Sequence, residues 1–394
     1  MLPNCFPDGL LVFPSFLLLQ LILLSVCAHI ALAGARITTS LYALSLHAPE
    51  STIGVLIALF SLFPMLFGVT AGRLVDRIGI ATPVTCACVA ITAGCALPVF
   101  ISGLPVLYLA TLFIGTGFMV TQVASQHTVG AMSTLENRSS NFSWLALGYS
   151  VSGFCGPVIA GFVIDHARHR ISYLVFCGFA LAALSVAVFG RLRTIQPAAH
   201  AQPRQKGGML ELLRDAELRR IYLIGILLSG AWDLFTFVTP IHGSHLGLSA
   251  SAIGLILGCF AVATFSVRLA MPWISRRCTE WQVLSGALIL AVCCYAIFPF
   301  MRQPAALMAV AAVLGLAVGS SQPNMLALLH HCAPPGRAGE AVGIRVTMGN
   351  AGQVILPLVF GAAGATLGLP VVFLAMSAMI GSGVPIAWRK ASTK

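Results

Sequence analysis

The chain has 394 residues, 58% of them hydrophobic and only 8% charged, with a mean hydropathy of +0.95. A soluble protein carries about 25% charged residues, so a water-solvated globule is excluded and a polytopic membrane protein is expected. The formal charge of +11 points to basic loops at a membrane face rather than to nucleic acid.

Taken in order, the apolar stretch from Leu10 to Leu24 is too long for a signal peptide and has no Lys or Arg before it, so it reads as the first membrane helix. That helix is expected from about Pro14 to Leu44, interrupted by Arg36. The second spans about Thr52–Val75. The stretch Gly72-Arg73-Leu74-Val75-Asp76-Arg77-Ile78-Gly79 follows it. Three charges in eight residues must lie in water or headgroups, because each costs several kcal/mol at mid-bilayer, so a tight inter-helix loop is expected there. Helices 3 to 6 are expected at about Pro83–Ile101, Pro105–Met132, Asn141–Ile164 and Ser172–Phe189, with a charged loop from Asp165 to Arg170.

Residues 191–220 are polar and basic, with a leucine-spaced stretch from Met209 to Arg220 that suits a short amphipathic helix on the membrane surface. Helices 7 to 12 are expected at about Ile221–His242, Ser251–Ile274, Gln282–Phe300, Ala305–His330, Ala341–Ala365 and Pro370–Trp388. This gives a six-helix unit in 1–190, a linker in 191–220 and a second six-helix unit in 221–394.

Charge supports that layout. With both termini cytoplasmic, sixteen of the twenty-two Lys and Arg fall on the cytoplasmic side and three, Arg168, Arg170 and Arg302, outside. That is the bias the positive-inside rule requires. The halves also repeat at an offset near 200 residues. Ile53-Gly54 matches Ile253-Gly254, Gly115 and Gln122 match Gly315 and Gln322, and Pro157 and Gly161 match Pro357 and Gly361. A duplicated six-helix unit is an architecture of transporters that alternate access to a central site.

Gly72-x-Leu74-x-Asp76-Arg77-x-Gly79, placed after the second helix, resembles motif A of the major facilitator superfamily. The twelve-helix, two-half layout resembles the same family over nearly the whole chain. The resemblance implies an all-α membrane protein, two pseudo-symmetric six-helix bundles around a cavity lined by helices 1, 4, 7 and 10, moving as a rocker switch. It also implies that Gly72, Arg73, Asp76, Arg77 and Gly79 form a conformational gate, with Asp76 facing the N-terminal end of helix 11 near Gly336–Ala341, where the helix dipole favours an anion. Two features depart from the pattern. Ile80 and Ala81 stand where two basic residues usually continue the motif, and the second-half counterpart around Trp273 to Arg277 lacks the aspartate. On helix 5, Gly148, Gly153, Gly156, Pro157 and Gly161 resemble the glycine-proline motif of proton-coupled drug antiporters; ordinary close helix packing needs the same residues. Thr111 stands where those exporters usually carry an arginine.

Few ionisable residues fall inside the expected spans, which makes each a candidate. Arg36 and His29 share a face of helix 1. Asp233 on helix 7 is the carboxylate well inside a span and the candidate proton carrier; Arg36 would bind an anion or pair with it. Gln122 and Gln322 are candidate solute ligands. Arg268 and Arg345 either serve the cavity or snorkel to the headgroups. The twelve cysteines read as small apolar filler, with no metal-ligand spacing.

No cofactor, metal or catalytic centre is expected. The expected function is secondary active transport of a small organic solute in a plasma membrane by a monomer, with protons as the coupling ion. Efflux by antiport rests on the helix 5 motif; uptake of an organic anion by proton symport rests on the three intramembrane arginines. An enzyme is disfavoured because HExxH, GxSxG and Walker sequences are missing.

Overall fold

In the computed structural model the described residues are 16–133, 138–190, 192, 209–334 and 337–392. Eleven helical segments among them are long and apolar enough to cross a membrane. One of these makes two passes, which gives twelve crossings.

Helix α1 (Phe16–Ser45) runs unbroken through Arg36. The expected interruption is corrected: arginine is a good helix former, and its long stem carries the charge to a cavity without disturbing the backbone. Helix α2 (Glu50–Ile78) also overruns its expected end. Residues 72–78 are its last two turns rather than a loop. Only Gly79 leaves the helix, at φ 79°, with its N–H bonded to the carbonyl of Val75. With ψ at 176° this is a positive-φ, extended conformation that glycine adopts without the Cβ clash other residues meet, and it ends the helix. The backbone thus keeps its hydrogen bonds beyond the apolar span, and the charged motif rides on a helix end. The side chains of Arg73 and Asp76 lie outside the described residues, as does Gly336, so the expected contact of Asp76 with helix 11 does too.

Helices α3 (Ala81–Phe100) and α4 (Leu104–Met132) follow. Helix α5 (Arg138–Phe189) has one non-helical residue, Arg168, at φ 67° and ψ 169°. The expected loop at 165–170 is that single residue. The contacts with α1 show that the chain reverses there. Gly148 faces Ile22 and Val26, and Gly156 faces Ala33 and Gly34, so the first limb runs parallel to α1. On the second limb Ser172 bonds Thr38 at 2.8 Å and Tyr173 bonds Thr39 at 2.6 Å, while Phe176 covers Gly34. That limb runs antiparallel.

The second half begins with the short α6 (Met209–Arg214) and α7 (Ala216–His245). Helix α7 starts earlier than expected because Asp215 caps it, accepting a hydrogen bond from the Leu218 amide at 2.8 Å. Then come α8 (Ala250–Ile274), α9 (Glu280–Ile297) with a 3-10 turn Phe298–Phe300, α10 (Pro304–Cys332), α11 (Ala338–Leu367), α12 (Leu369–Gly381) and α13 (Val384–Ser392).

The 200-residue repeat has a physical basis in packing. Gly115 lies on the Phe60 carbonyl, and Gly315 on the Phe260 carbonyl. Gly54 lies on the Pro357 carbonyl, and Gly254 on the Pro157 carbonyl. A Cβ at any of these four would overlap backbone, so only glycine permits the approach. Two turns repeat as well. His47 and Gly247 both have positive φ, 58° and 70°. Arg168 adopts the conformation of Gly368, which has φ 84° and ψ 156°.

The halves meet through α2 against α11 and α5 against α8. We call the end that carries Phe16 and α13 the terminal end and the opposite one the distal end. The named contacts across the seam lie in its distal part: Gly54 with Gly361, Gly161 with Ala250, Gly254 with Pro157, and Ser61 with Gln353 at 2.9 Å.

Candidate functional site

Between the halves, below that distal seam, lies a cavity of about 230 Å³. Its walls come from α1, α2, α5, α7 and α8. The polar side chains that matter are His29 and Arg36 from α1, Tyr149 and Ser150 from α5, Thr236 from α7 and Arg268 from α8. Trp232 and Phe260 form an aromatic wall, their rings 4.7 Å apart and nearly perpendicular. Pro157 and Gly153 bring the first limb of α5 to the cavity edge. Nothing lies within 4 Å of where a Gly153 Cβ would stand, whereas Gly156 and Gly161 each touch a neighbouring helix.

His29 is tightly placed. Its Nδ1 shares a 2.5 Å hydrogen bond with Ser152 Oγ, and its ring lies 5.1 Å from Phe118 and 5.3 Å from Tyr149. Ser152 bonds back to its own helix, so imidazole and hydroxyl tie α1 to α5.

Asp233 is 6% exposed. It does not itself line the cavity; Trp232 and Thr236 on either side do. Asp233 and Arg36 interact electrostatically, and no ion pair within 4.0 Å joins them among the described residues. Arg36 faces the cavity. The two charges thus form a loose pair, one at the wall and one behind it. In a medium of low dielectric such a pair remains strongly coupled without direct contact.

Arg268 lines the cavity from the other side. Its Nη2 donates to Gln322 Oε1 at 3.0 Å, and its guanidinium stands 5.8 Å from the centre of the Trp232 ring. Gln322 therefore acts on the cavity through Arg268. Neither it nor Gln122 is among the lining residues, and α4 and α10 do not contribute to this wall among the described residues. Of the four helices that the resemblance implies, α1 and α7 line this cavity, and α5 and α8 carry much of the remaining surface. The reason is that both cross the seam, so their faces meet the space between the halves. Arg345 does not line this cavity; it sits in a small cleft between α7 and α11 with Tyr222 and Ser229, within electrostatic reach of Arg268.

Two acidic residues that the sequence alone did not single out seal the distal end. Asp165 accepts hydrogen bonds from the first amides of α8, Ala250 at 2.9 Å and Ser251 at 2.7 Å. Glu50, on the first turn of α2, stands 3.6 Å from His245 at the end of α7. The available signal was an acid at a helix end opposite a Ser-capped helix start, here Ser249. Among the described residues no group of His, Cys, Asp or Glu is placed to hold a metal ion.

Comparison with known proteins gives a family. The model of the Major Facilitator Superfamily matches residues 21–304 and 221–393. The chain is similar to an uncharacterised MFS-type transporter, YfkF, of Bacillus subtilis (strain 168), with 23% identity over 58% of this chain and 58% of that protein. It is also similar to the class B tetracycline resistance protein of Escherichia coli, with 23% identity over 78% of this chain and 77% of that one. Among solved structures it superposes on a peptide transporter of the POT type with a TM-score of 0.80 at 14% identity, covering 96% of each chain. It superposes on a bacterial homologue of the human lysosomal transporter Spinster with a TM-score of 0.77, again at 14% identity, covering 96% of this chain and 97% of that one. These last two show a shared fold.

Proposed function

The chain belongs to the major facilitator superfamily, and from that premise we propose that it is a secondary transporter that exports a small organic compound in exchange for protons. The observation that carries this reading is the loose pair of Arg36 and Asp233 at the wall of a central cavity sealed at one end. A proton on Asp233 removes the charge that Arg36 faces, so the same event changes the field in the cavity and the attraction between α1 and α7. Helices α1 and α7 belong to opposite halves, which makes the pair a natural coupling element for alternating access. The similarity to a tetracycline resistance protein supports export.

In this reading residues 1–190 and 221–394 move as two bundles joined by the linker 191–220. The termini lie in the cytoplasm, the cavity is in its inward-facing state, and the protein works as a monomer in the plasma membrane. Gly72, Arg73, Asp76, Arg77 and Gly79 hold the opposite, outward-facing state, while Asp165 and Glu50 hold this one. Gly156 and Gly161 let α5 slide against α1 and α8.

A second reading, uptake of an organic anion with a proton, is favoured by one observation. Arg36 and Arg268 both face the cavity, and a proton on Asp233 would leave Arg36 free to bind an anion, which is the sign of symport.

The test uses proteoliposomes carrying an imposed pH gradient and a panel of lipophilic compounds and organic acids. Export by antiport predicts that a transported compound moves against its gradient when protons flow the other way. Symport predicts co-directional movement of acid and proton. Absence of any compound-dependent proton movement would overturn both.

A further inference from the structure

We propose that Arg268 is the headgroup site for a single-chain anionic amphiphile, which reaches the central cavity sideways through a groove between α5 and α8. The proposal rests on the transporter reading, is independent of direction, and names the class of compound handled.

The groove begins where the distal packing of the two helices ends. From Asp165 and Ser251 down to Phe154 and Gly258, α5 and α8 touch so closely that a Cβ on Gly258 would come within 3.1 Å of the Phe154 ring. Beyond that contact an open space lies between them. The space between them, about 420 Å³, is lined by Trp144 and Leu147 of α5 and by Phe265 and Leu269 of α8. Leu269 is 65% exposed, on a helix long and apolar enough to cross a membrane. In a bilayer that surface meets lipid tails. Arg268 and Ser150 line both the groove and the central cavity, so the two spaces join at these side chains.

Charge identifies the occupant. Arg268 is the one charged residue among the described lining of the groove. Its partners are the neutral Gln322 oxygen and the Trp232 ring, and its electrostatic neighbour is another cation, Arg345. None is a carboxylate. An arginine at this depth is costly and is ordinarily paired or placed in water. Here the uncompensated charge sits at the inner end of a channel whose remaining described lining is apolar except for the neutral hydroxyls of Ser143 and Ser150. A ligand that suits both parts has one anionic group, to take the guanidinium, and one flexible apolar chain, to fill the groove. Tetrahedral or planar oxyanions both suit the guanidinium fork.

The experiment measures equilibrium binding of radiolabelled dodecanoate to the full chain in phosphatidylcholine nanodiscs, with empty discs as control. Saturable binding is expected. Arg268→Gln should weaken it by about tenfold or more, the loss expected for a charge-assisted hydrogen bond. Arg268→Lys, which keeps the charge, should retain most of it. Leu147→Trp, which fills the groove and leaves the arginine in place, should weaken it as well. Dodecyltrimethylammonium and butanoate, lacking the charge or the chain, should fail to compete. Binding that is unchanged in Arg268→Gln, or that the cation displaces equally well, overturns the proposal. So does loss of dodecanoate binding in phosphatidylglycerol discs, which would make the groove a seat for bilayer lipid. If dodecanoate fails while other compounds still drive proton movement in proteoliposomes, the amphiphile site falls and the transporter reading stands. If no compound drives proton movement, the transporter reading falls.

Discussion

The carboxylate of Asp165 reaches across the seam between the halves to the backbone amide of Ser251, 2.7 Å away. A second bond to the Ala250 amide makes it an anion seated on the N-terminus of α8. Amides at a helix start carry partial positive charge and lack intrahelical partners, so an acid there is favoured. Because the acid and the helix belong to different halves, the bond exists only while the distal end is closed.

Replacing Asp165 with Ala should therefore loosen distal closure without unfolding either half. The contribution is about 1 kcal/mol for a solvent-exposed site, or a shift of roughly fivefold between open and closed populations. Spin labels on the exposed positions His47 and Thr366, one in each half, would report it as growth of a longer distance. An unchanged distance distribution would remove Asp165 from the gate.

Two glycines of one helix should respond oppositely to the same change. Gly161→Ala places a methyl group against the Ala250 carbonyl, a backbone group that cannot move aside. Distal closure should be blocked and transport lost, with the protein still folded. Gly153→Ala meets open space and should leave distal closure and expression unchanged. Cysteine cross-linking across the distal seam separates the two. Equal effects would argue that the glycine pattern serves only folding.

Asp233→Asn removes the charge behind the cavity wall and keeps the side-chain shape. Accumulation against a gradient should disappear, exchange of solute should survive, and the dependence of transport on pH should flatten. Counterflow and gradient-driven assays in the same liposomes distinguish these. Full gradient-driven activity of the variant would exclude Asp233 as the proton carrier. Arg36→Gln in the Asp233→Asn background should add less damage than in the wild type, because residues in one charge pair are not additive.

Arg168 holds a conformation that glycine adopts freely and other residues rarely do, and Gly368 occupies the equivalent turn of the second half. Arg168→Gly should relieve strain of about 1 kcal/mol or more and raise the melting temperature of the detergent-solubilised protein. A lower melting temperature would show that the arginine side chain compensates for its backbone.

Much of this molecule is local in origin, and local features are legible in the sequence. Runs of about 20 apolar residues need only their own length and hydrophobicity to become membrane helices, because an unsatisfied backbone is intolerable in lipid. The duplication was legible for a related reason. Gly54, Gly254, Gly115 and Gly315 each admit a neighbouring carbonyl that any side chain would displace, so these contacts leave a mark on residue type. Helix ends were less legible. Gly72 to Ile78 looks like a loop by charge and is a helix, because charge limits depth in the bilayer and not backbone conformation.

What only the tertiary structure decided is which face of each helix meets which neighbour. Gln122 and Gln322 look alike in the repeat, but Gln322 serves Arg268 and neither lines the cavity. Asp233 and Arg36 are both intramembrane charges by sequence; rotation of α7 buries the first and rotation of α1 exposes the second to the cavity. Asp165 reads as a loop acid until α8 is placed beside it. Hydrophobicity specifies that a helix crosses the bilayer. Its tilt and rotation come from packing against helices distant in sequence, and those decide whether a side chain becomes wall, ligand or latch.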